Sequence, residues 1–271
     1  MELARRVTAR LGESADVFIT EQAGHARDLG RTARAGGARL VIAWGGDGTV
    51  NEVATALAFG DVPLGIVPAG SGNGLARELG ISPHAETALT AAVRGATRSI
   101  DAGEIAGRLF VNVAGIGFDA HIAARFNAPE NPRRGLAGYA VLTARSIARY
   151  RCGRYEIVTP DGRMTVRALL IALANGTEFG NRIRIAPGAR VDDGALDLVI
   201  VAERSRLGTM CSLWRLVNRS LDRAAIWSSR RVQEVAIESE TPMMFHVDGE
   251  PLQGGTRLEA RVHPGALKVC V

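Results

Sequence analysis

Residues 41–53 read VIAWGGDGTVNEV: an apolar run, three glycines around one aspartate, then a stretch with helical spacing. A short apolar run stopped by glycine is a buried strand, so the stretch is a strand–turn–helix unit. Glycine leaves backbone N–H groups bare, and the start of a helix carries partial positive charge. Gly45, Gly46 and Gly48 can therefore cradle a phosphate. Thr49 can cap the helix and also offer its hydroxyl. Asp47 is the informative residue, because a carboxylate beside a phosphate cradle repels the anion unless a metal or another cation intervenes. The plain alternative is a capped turn in which Asp47 only accepts local N–H groups.

A second turn of the same kind follows. IVPAGSGNGLA, residues 66–76, runs from a strand through Gly70, Ser71, Gly72 and Asn73 into a helix opened by Ser71. Two such turns ending successive parallel strands place two helix N-termini at one edge of a sheet, where open α/β sheets bind ligands.

Outward from these turns the first hundred residues alternate strand and helix. ADVFIT (15–20), ARLVIAW and VPLGIVPA read as strands, and GHARDLGRTARAGG, TVNEVATALAF and PHAETALTAAVRG as helices. That alternation predicts a parallel sheet covered on both faces. After Ser99 the pattern changes to strands: RLFVNVAGIG, RYEIVTP, TVRALLIALAN, ALDLVIVA, RVQEVAIES, MMFHVDGE and RLEARVHPGALKVCV. PDGR and VDGE have hairpin-turn character. Two helical stretches interrupt them, GLAGYAVLTARSIARY and RLGTMCSLWRLVNRSLD. The expectation is an α/β domain over residues 1–99 and an antiparallel β-rich domain over 100–271, whose extreme C-terminus can pack back on the first.

Composition narrows the classes. The chain has 271 residues, 46% of them hydrophobic and 23% charged, which suits a globular protein with a full core. The net charge of +5 is carried by arginine, Lys268 being the single lysine. A mild basic excess fits anionic lipid or nucleotide. Nucleic acid is disfavoured, since aromatics make up only 5% and do not interleave with the arginines. Cys152, Cys211 and Cys270 are far apart and odd in number, which argues against a disulfide framework or zinc site and suits a reducing cytoplasm. No apolar stretch approaches the roughly 20 residues that cross a bilayer, so membrane contact is expected to be peripheral. A basic helix around GLAGYAVLTARSIARY, flanked by Arg133, Arg134, Arg145, Arg149, Arg151 and Arg154, could lie on anionic lipid, or could simply face the core with a solvated arginine side. The five histidines show no metal-ligand spacing. His246, two residues before Asp248 on an expected strand, can face the same site as that aspartate.

GGDGTVNEV, PAGSGNGLAREL, DAGEI, NVAGIGFDA, NGTEFGNRIRIAPGARVDDGALDLVIV and VDGEPL occur in the order found in the diacylglycerol kinase catalytic superfamily, which includes bacterial lipid kinases and the sphingosine and ceramide kinases. The chain resembles that superfamily from about Val17 to its end. A lone GGDGT is shared with NAD kinases and phosphofructokinases; six ordered segments are far more specific, and no GSTAY-like segment of NAD kinases is present.

The resemblance implies an ATP- and Mg²⁺-dependent lipid kinase. Its fold would be a Rossmann-like, NAD-kinase-type nucleotide domain followed by a β-sandwich, with the site between them. Thr20, Gly45, Gly46, Asp47, Gly48, Thr49, Asn51, Gly70, Ser71, Gly72 and Asn73 would contact ATP. Asp47 and Asp101 would join the magnesium network. Asp248 matches the general base, with Glu250 two residues on. Asp193, with the backbone carbonyls of Arg190 and Ala195, would hold a structural magnesium. An aspartate within reach of a lipid hydroxyl can accept its proton as phosphorus is attacked; the bland reading of Asp248-Gly249 is a hairpin turn. Members of the superfamily begin with a strand and an Asn-Pro followed by a Ser-Gly turn. This sequence starts at the helix after it, so that first strand is expected to be missing. Ser71 stands where many relatives have threonine. The partner implied is a lipid at a membrane surface, most simply diacylglycerol, and a homodimer is compatible with the resemblance. The other readings are a kinase for another lipid or NAD, and a nucleotide- or lipid-binding protein without turnover.

Overall fold

The computed structural model describes residues 2–128, 141–143, 145–147, 150–179, 184–203 and 225–271. It begins with two helices, α1 (Glu2–Arg10) and α2 (His25–Ala35), followed by β1 (Val41–Gly45), α3 (Asp47–Leu57), β2 (Leu64–Pro68), α4 (Gly74–Glu78) and α5 (Ala85–Arg94). β1 and β2 are parallel, with Val41 opposite Leu64 and Gly45 opposite Pro68. Their two faces bury different residues. Ala43, Leu64 and Ile66 meet Val50, Val53 and Leu57 of α3 and Ala26 of α2, whereas Val67 meets Val7 of α1 and Leu89 of α5. A parallel pair needs both faces covered, and the helices supply that cover.

The β-rich part comprises β3 (Thr97–Ile105), β4 (Arg108–Phe110), β5 (Val113–Gly117), α6 (Phe118–Asn127), β6 (Gly153–Thr159), β7 (Gly162–Ala174), β8 (Leu196–Ala202), β9 (Trp227–Val232), β10 (Glu234–Glu238), β11 (Met244–Val247), β12 (Glu250–Gln253) and β13 (Arg257–Cys270). Two long strands make the corners. β7 pairs with β6 through its first half and with β5 through its second, and β8 lies on its other edge. β13 pairs with β10 and β3, shifts register between His263 and Leu267, and reaches β2 in parallel at Val269. The result is a sandwich whose interior holds Ile105, Phe110, Ile116, Ile157, Ile171, Leu198, Ile237 and Phe245. A second apolar layer, with Phe118, Ile122, Ile147, Ile185 and Val199, covers the outer face of β5, β7 and β8. The last strand thus joins the β-rich part to the α/β sheet, giving one mixed 13-stranded sheet rather than two separate ones.

Several expectations are corrected. ADVFIT forms no strand: residues 13–21 carry no regular structure, and Phe18 and Ile19 are 67% and 64% exposed. Apolar alternation needs a neighbouring strand to hold it, and none of the described strands pairs with this segment. The second helix begins at Gly74 with Asn73 as its N-cap, not at Ser71. RLFVNVAGIG and RVQEVAIES each break into two strands. α6 was not expected; it follows β5 without a break, with Gly117 rather than a Ser, Thr, Asn or Asp at its N-cap. Of the GLAGYAVLTARSIARY stretch, residues 141–143 and 145–147 are helical, with Ile147 facing the core and Arg145 exposed. Arg133, Arg134 and Arg149, and the whole of RLGTMCSLWRLVNRSLD, lie outside the described residues.

Candidate active site

At the first turn Gly46 is the N-cap of α3, in extended conformation, with no side chain capping it. Thr49 is already inside the helix, its side chain lying against Gly45. The amides of the first helical turn are therefore left without a side-chain cap, and a Cβ at Gly48 would meet only open space. A helix N-terminus in this state attracts anions.

The second turn touches the first through bare backbone. A Cβ built on Gly70 would stand 2.6 Å from the Cα of Gly46, so neither position has room for a side chain. Asn73, at φ 53°, closes the turn on itself: its side-chain amide donates to the Gly70 carbonyl at 2.7 Å and accepts the Gly70 N–H at 2.9 Å. The start of α4 is occupied from across the site. The Asp47 carboxylate accepts the N–H groups of Asn73 at 2.8 Å and Gly74 at 2.6 Å. Burial pushes the Asp47 carboxyl above the usual range, against the lowering effect of these amides.

Between the two domains sits a lattice of side-chain amides. Asn51, on α3, donates to the Leu109 carbonyl at 2.9 Å and to the Asp248 carboxylate at 2.8 Å. Asp248 takes three further N–H groups, from Val111, Asn112 and Val113, at 2.9 to 3.0 Å. Asn175, wholly buried, donates to the carbonyls of Asp101 and Val111. Asn112 reaches the Glu178 carbonyl. Burial holds the Asp248 carboxyl above its ordinary range, although four donors oppose the rise. Asp248 and Gly249 have φ 48° and 88°, so the pair is the tight turn between β11 and β12 as well as a carboxylate site.

Beneath this turn, His246 accepts the Gly249 N–H at Nδ1 and faces buried Asp119 of α6 through Nε2 at 3.3 Å. The two side chains cross β5 at Gly115, where any Cβ would fall on both of them. Glu250 stands apart: its side chain is about half exposed, and its ion pair is with Arg108 at 3.9 Å. A cleft of about 610 Å³ opens beside Asn73, between Pro68, Arg77, Glu78, Ile81 and Thr177.

The remaining expected residues are dispersed. Thr20 and Ser71 are exposed. Asp101 is 3% exposed, and its carboxylate accepts the N–H groups of Gly194 and Gly265, both at 2.7 Å. It pins the 190s loop to the irregularity of β13, and among the described residues it forms no hydrogen bond with Asp47. Asp193 accepts the Ala195 N–H and pairs with Arg231 at 2.7 Å, while the Arg190 side chain turns to Asp192. Asp47 and Asp101 each give two acceptor positions to N–H groups, and at Asp193 a guanidinium opposes a second cation. Among the described residues no group of three or more acidic, histidine or cysteine side chains could hold a metal ion. The sequence reading missed Asn112, Asn175 and Asp119. Asn112 and Asp119 lie within NVAGIGFDA, so the segment was visible although their roles were not.

Comparison with known proteins agrees with this fold. The diacylglycerol kinase catalytic domain profile matches residues 1–105, and that of the YegS C-terminal NAD kinase beta sandwich-like domain matches residues 112–271. A protein of Pseudomonas savastanoi pv. phaseolicola named "Probable lipid kinase YegS-like" is 35% identical over 265 residues, covering 95% of this chain and 84% of the relative. One of the same name from Chromohalobacter salexigens is 34% identical, covering 94% and 83%. Among solved structures, a diacylglycerol kinase from Bacillus anthracis superposes with a TM-score of 0.71 at 18% identity, covering 97% of this chain and 87% of that one. An NAD kinase from Archaeoglobus fulgidus in complex with ATP gives 0.58 at 13% identity, covering 100% and 88%, a likeness of fold alone. The chain belongs to the YegS-like lipid kinases, built from a diacylglycerol kinase catalytic domain and an NAD-kinase-type β-sandwich domain.

Proposed function

We propose that this kinase transfers the γ-phosphoryl group of ATP to a hydroxyl of a membrane lipid, with diacylglycerol as acceptor and phosphatidic acid as product. The observation that carries the reading is the uncapped N-terminus of α3, with open space at Gly48, one helical turn from the amide and carboxylate lattice between the domains. Phosphoryl transfer asks a protein chiefly for positioning and charge stabilisation, and bare amides behind a strand supply both for the phosphates. Magnesium enters with ATP as part of that substrate. Exposed Arg145, Arg151 and Arg154 favour approach to an anionic surface. Among the described residues no helix is long and apolar enough to cross a membrane.

The test is turnover of MgATP on mixed micelles containing diacylglycerol, monoacylglycerol, ceramide or sphingosine in turn, beside NAD in solution. Phosphate transfer to diacylglycerol is expected. Transfer to another lipid or to NAD would correct the substrate, and ATP binding without transfer to any acceptor would make the chain a binder.

A further inference from the structure

We infer that buried His246 is a positioning residue for the phosphoryl transfer: as the Nε2–H tautomer, anchored on Asp119, it holds Gly249 and so sets the β11–β12 hairpin against α6. This rests on the kinase reading above. Phe245 and Val247, the neighbours of His246 on β11, point into the sandwich. The residue between them faces the opposite side, where α6 packs. There His246 is 5% exposed, with the Phe179 ring 6.2 Å away between centroids. A polar ring buried in this way needs partners for its nitrogens.

Both nitrogens have one. Nδ1 accepts the N–H of Gly249 at 3.3 Å, and Nε2 faces Oδ2 of Asp119 at 3.3 Å. A ring nitrogen that accepts an N–H carries a lone pair, so the proton sits on Nε2 and is donated to the carboxylate. The two contacts thus agree on one tautomer; the other would set N–H against N–H at Gly249. Asp119 is a firm anchor. It lies in the first turn of α6, 6% exposed, and its Oδ1 accepts the Ala120 N–H.

The chain makes room for this pair at β5. Gly115 lies opposite His246, and a Cβ there would stand 1.8 Å from Oδ2 of Asp119 and 2.6 Å from Nε2 of His246. Gly115 is not at positive φ, so glycine is required here by the space the pair occupies rather than by backbone conformation.

What the pair adds to the turn is equally specific. Asp248, the first turn residue, is tied to Asn51 of α3 and to the segment joining β4 to β5. Gly249, the second, is held from the opposite side by His246. Asp248 is at φ 48°, a conformation that a non-glycine residue keeps only where its surroundings enforce it. The hairpin therefore joins three bodies: α3 through Asn51, the β4–β5 segment, and α6 through His246 and Asp119. Phosphoryl transfer tolerates little displacement of the groups at such a junction.

The experiment compares wild type with His246→Asn and His246→Gln on lipid micelles with MgATP, reading kcat, KM for ATP, Tm and exchange of the Gly249 amide. Asn places Oδ1 where Nδ1 accepts, whereas Gln places its amide nitrogen where Nε2 donates. His246→Gln is expected to keep the Asp119 contact, open the Gly249 amide to exchange and lower kcat at least tenfold, with KM for ATP within twofold. His246→Asn should keep that amide protected and hold kcat within threefold of wild type, although Tm falls with the loss of the Asp119 contact. A histidine with a structural role alone would make kcat follow Tm. His246→Gln within twofold of wild-type kcat, or both variants losing kcat in step with Tm, would overturn the assignment. So would imidazole nitrogen shifts of the wild type that place the proton on Nδ1. A wild type that binds ATP and phosphorylates no lipid would instead remove the kinase reading, and the positioning role with it.

Discussion

At the first glycine turn the helix behind it begins bare: Gly46 caps nothing with a side chain, and Gly48 looks onto open space. At the second, the same kind of helix start is closed by a carboxylate, because Asp47 reaches across from the first turn and takes the amides of Asn73 and Gly74. The residue that would repel a phosphate from the first turn is thereby turned into the anion that fills the second. One turn is left for a ligand and the other braces it. Their likeness in sequence hides a division of labour that depends on which turn owns the aspartate.

That comparison can be broken most sharply at Asp47. Asp47→Ala removes the acceptor of two amides at the start of α4, and the expected loss is about 3 kcal/mol of stability by chemical denaturation. Its pH dependence has a definite sign. Burial holds the native carboxyl above the ordinary aspartate value of 3.8, so the folded chain binds that proton more tightly than the unfolded chain. The stability linked to Asp47 is therefore fully present below pH 3.8 and is lost as pH rises through the native value. Asp47→Asn should accordingly cost more at acid pH than at pH 7, and an unchanging difference across that range would contradict the burial argument.

Next in size is Gly70→Ala. Its methyl would press on the Cα of Gly46, forcing the turns apart, with about 2 kcal/mol lost and ATP binding weakened at least tenfold by calorimetry. Gly48→Ala sharpens the contrast in the opposite way. The space around Gly48 is open, so unfolding free energy should move by less than about 0.5 kcal/mol. ATP affinity should still fall three- to tenfold if phosphate sits against those amides. Ser71→Ala, on the braced turn, is expected to do least, with ATP affinity within twofold.

Much of this frame was readable in advance. VIAWGGDGT and GIVPAGSGN announced β1, β2 and their turns because apolar runs stopped by glycine have few other solutions. The partner of Asp47 was not readable, since Asn73 and Gly74 lie 26 and 27 residues on and nothing local says the carboxylate points there. ADVFIT was over-read for a related reason: alternation shows that a strand could exist, and only a neighbour makes it one. α6 escaped notice because Phe118 follows β5 without a capping residue, although Phe118 and Ile122 sit at helical spacing. Asn112 and Asn175 escaped because asparagine on its own is read as a turn former, while here both are buried donors to carbonyls of distant segments. At Asp248 the turn reading and the carboxylate reading both describe the residue.

The most direct test of the account is an ATP titration with magnesium, followed by backbone amide shifts of the full chain. If the first turn is the cradle and the second its brace, the largest shifts fall on Gly46 to Thr49, while Asn73 and Gly74, held by Asp47, stay nearly still. Shifts at Asn73 and Gly74 as large as those of the first turn would show that ATP displaces Asp47 and that both helix starts bind phosphate, contradicting the division drawn here.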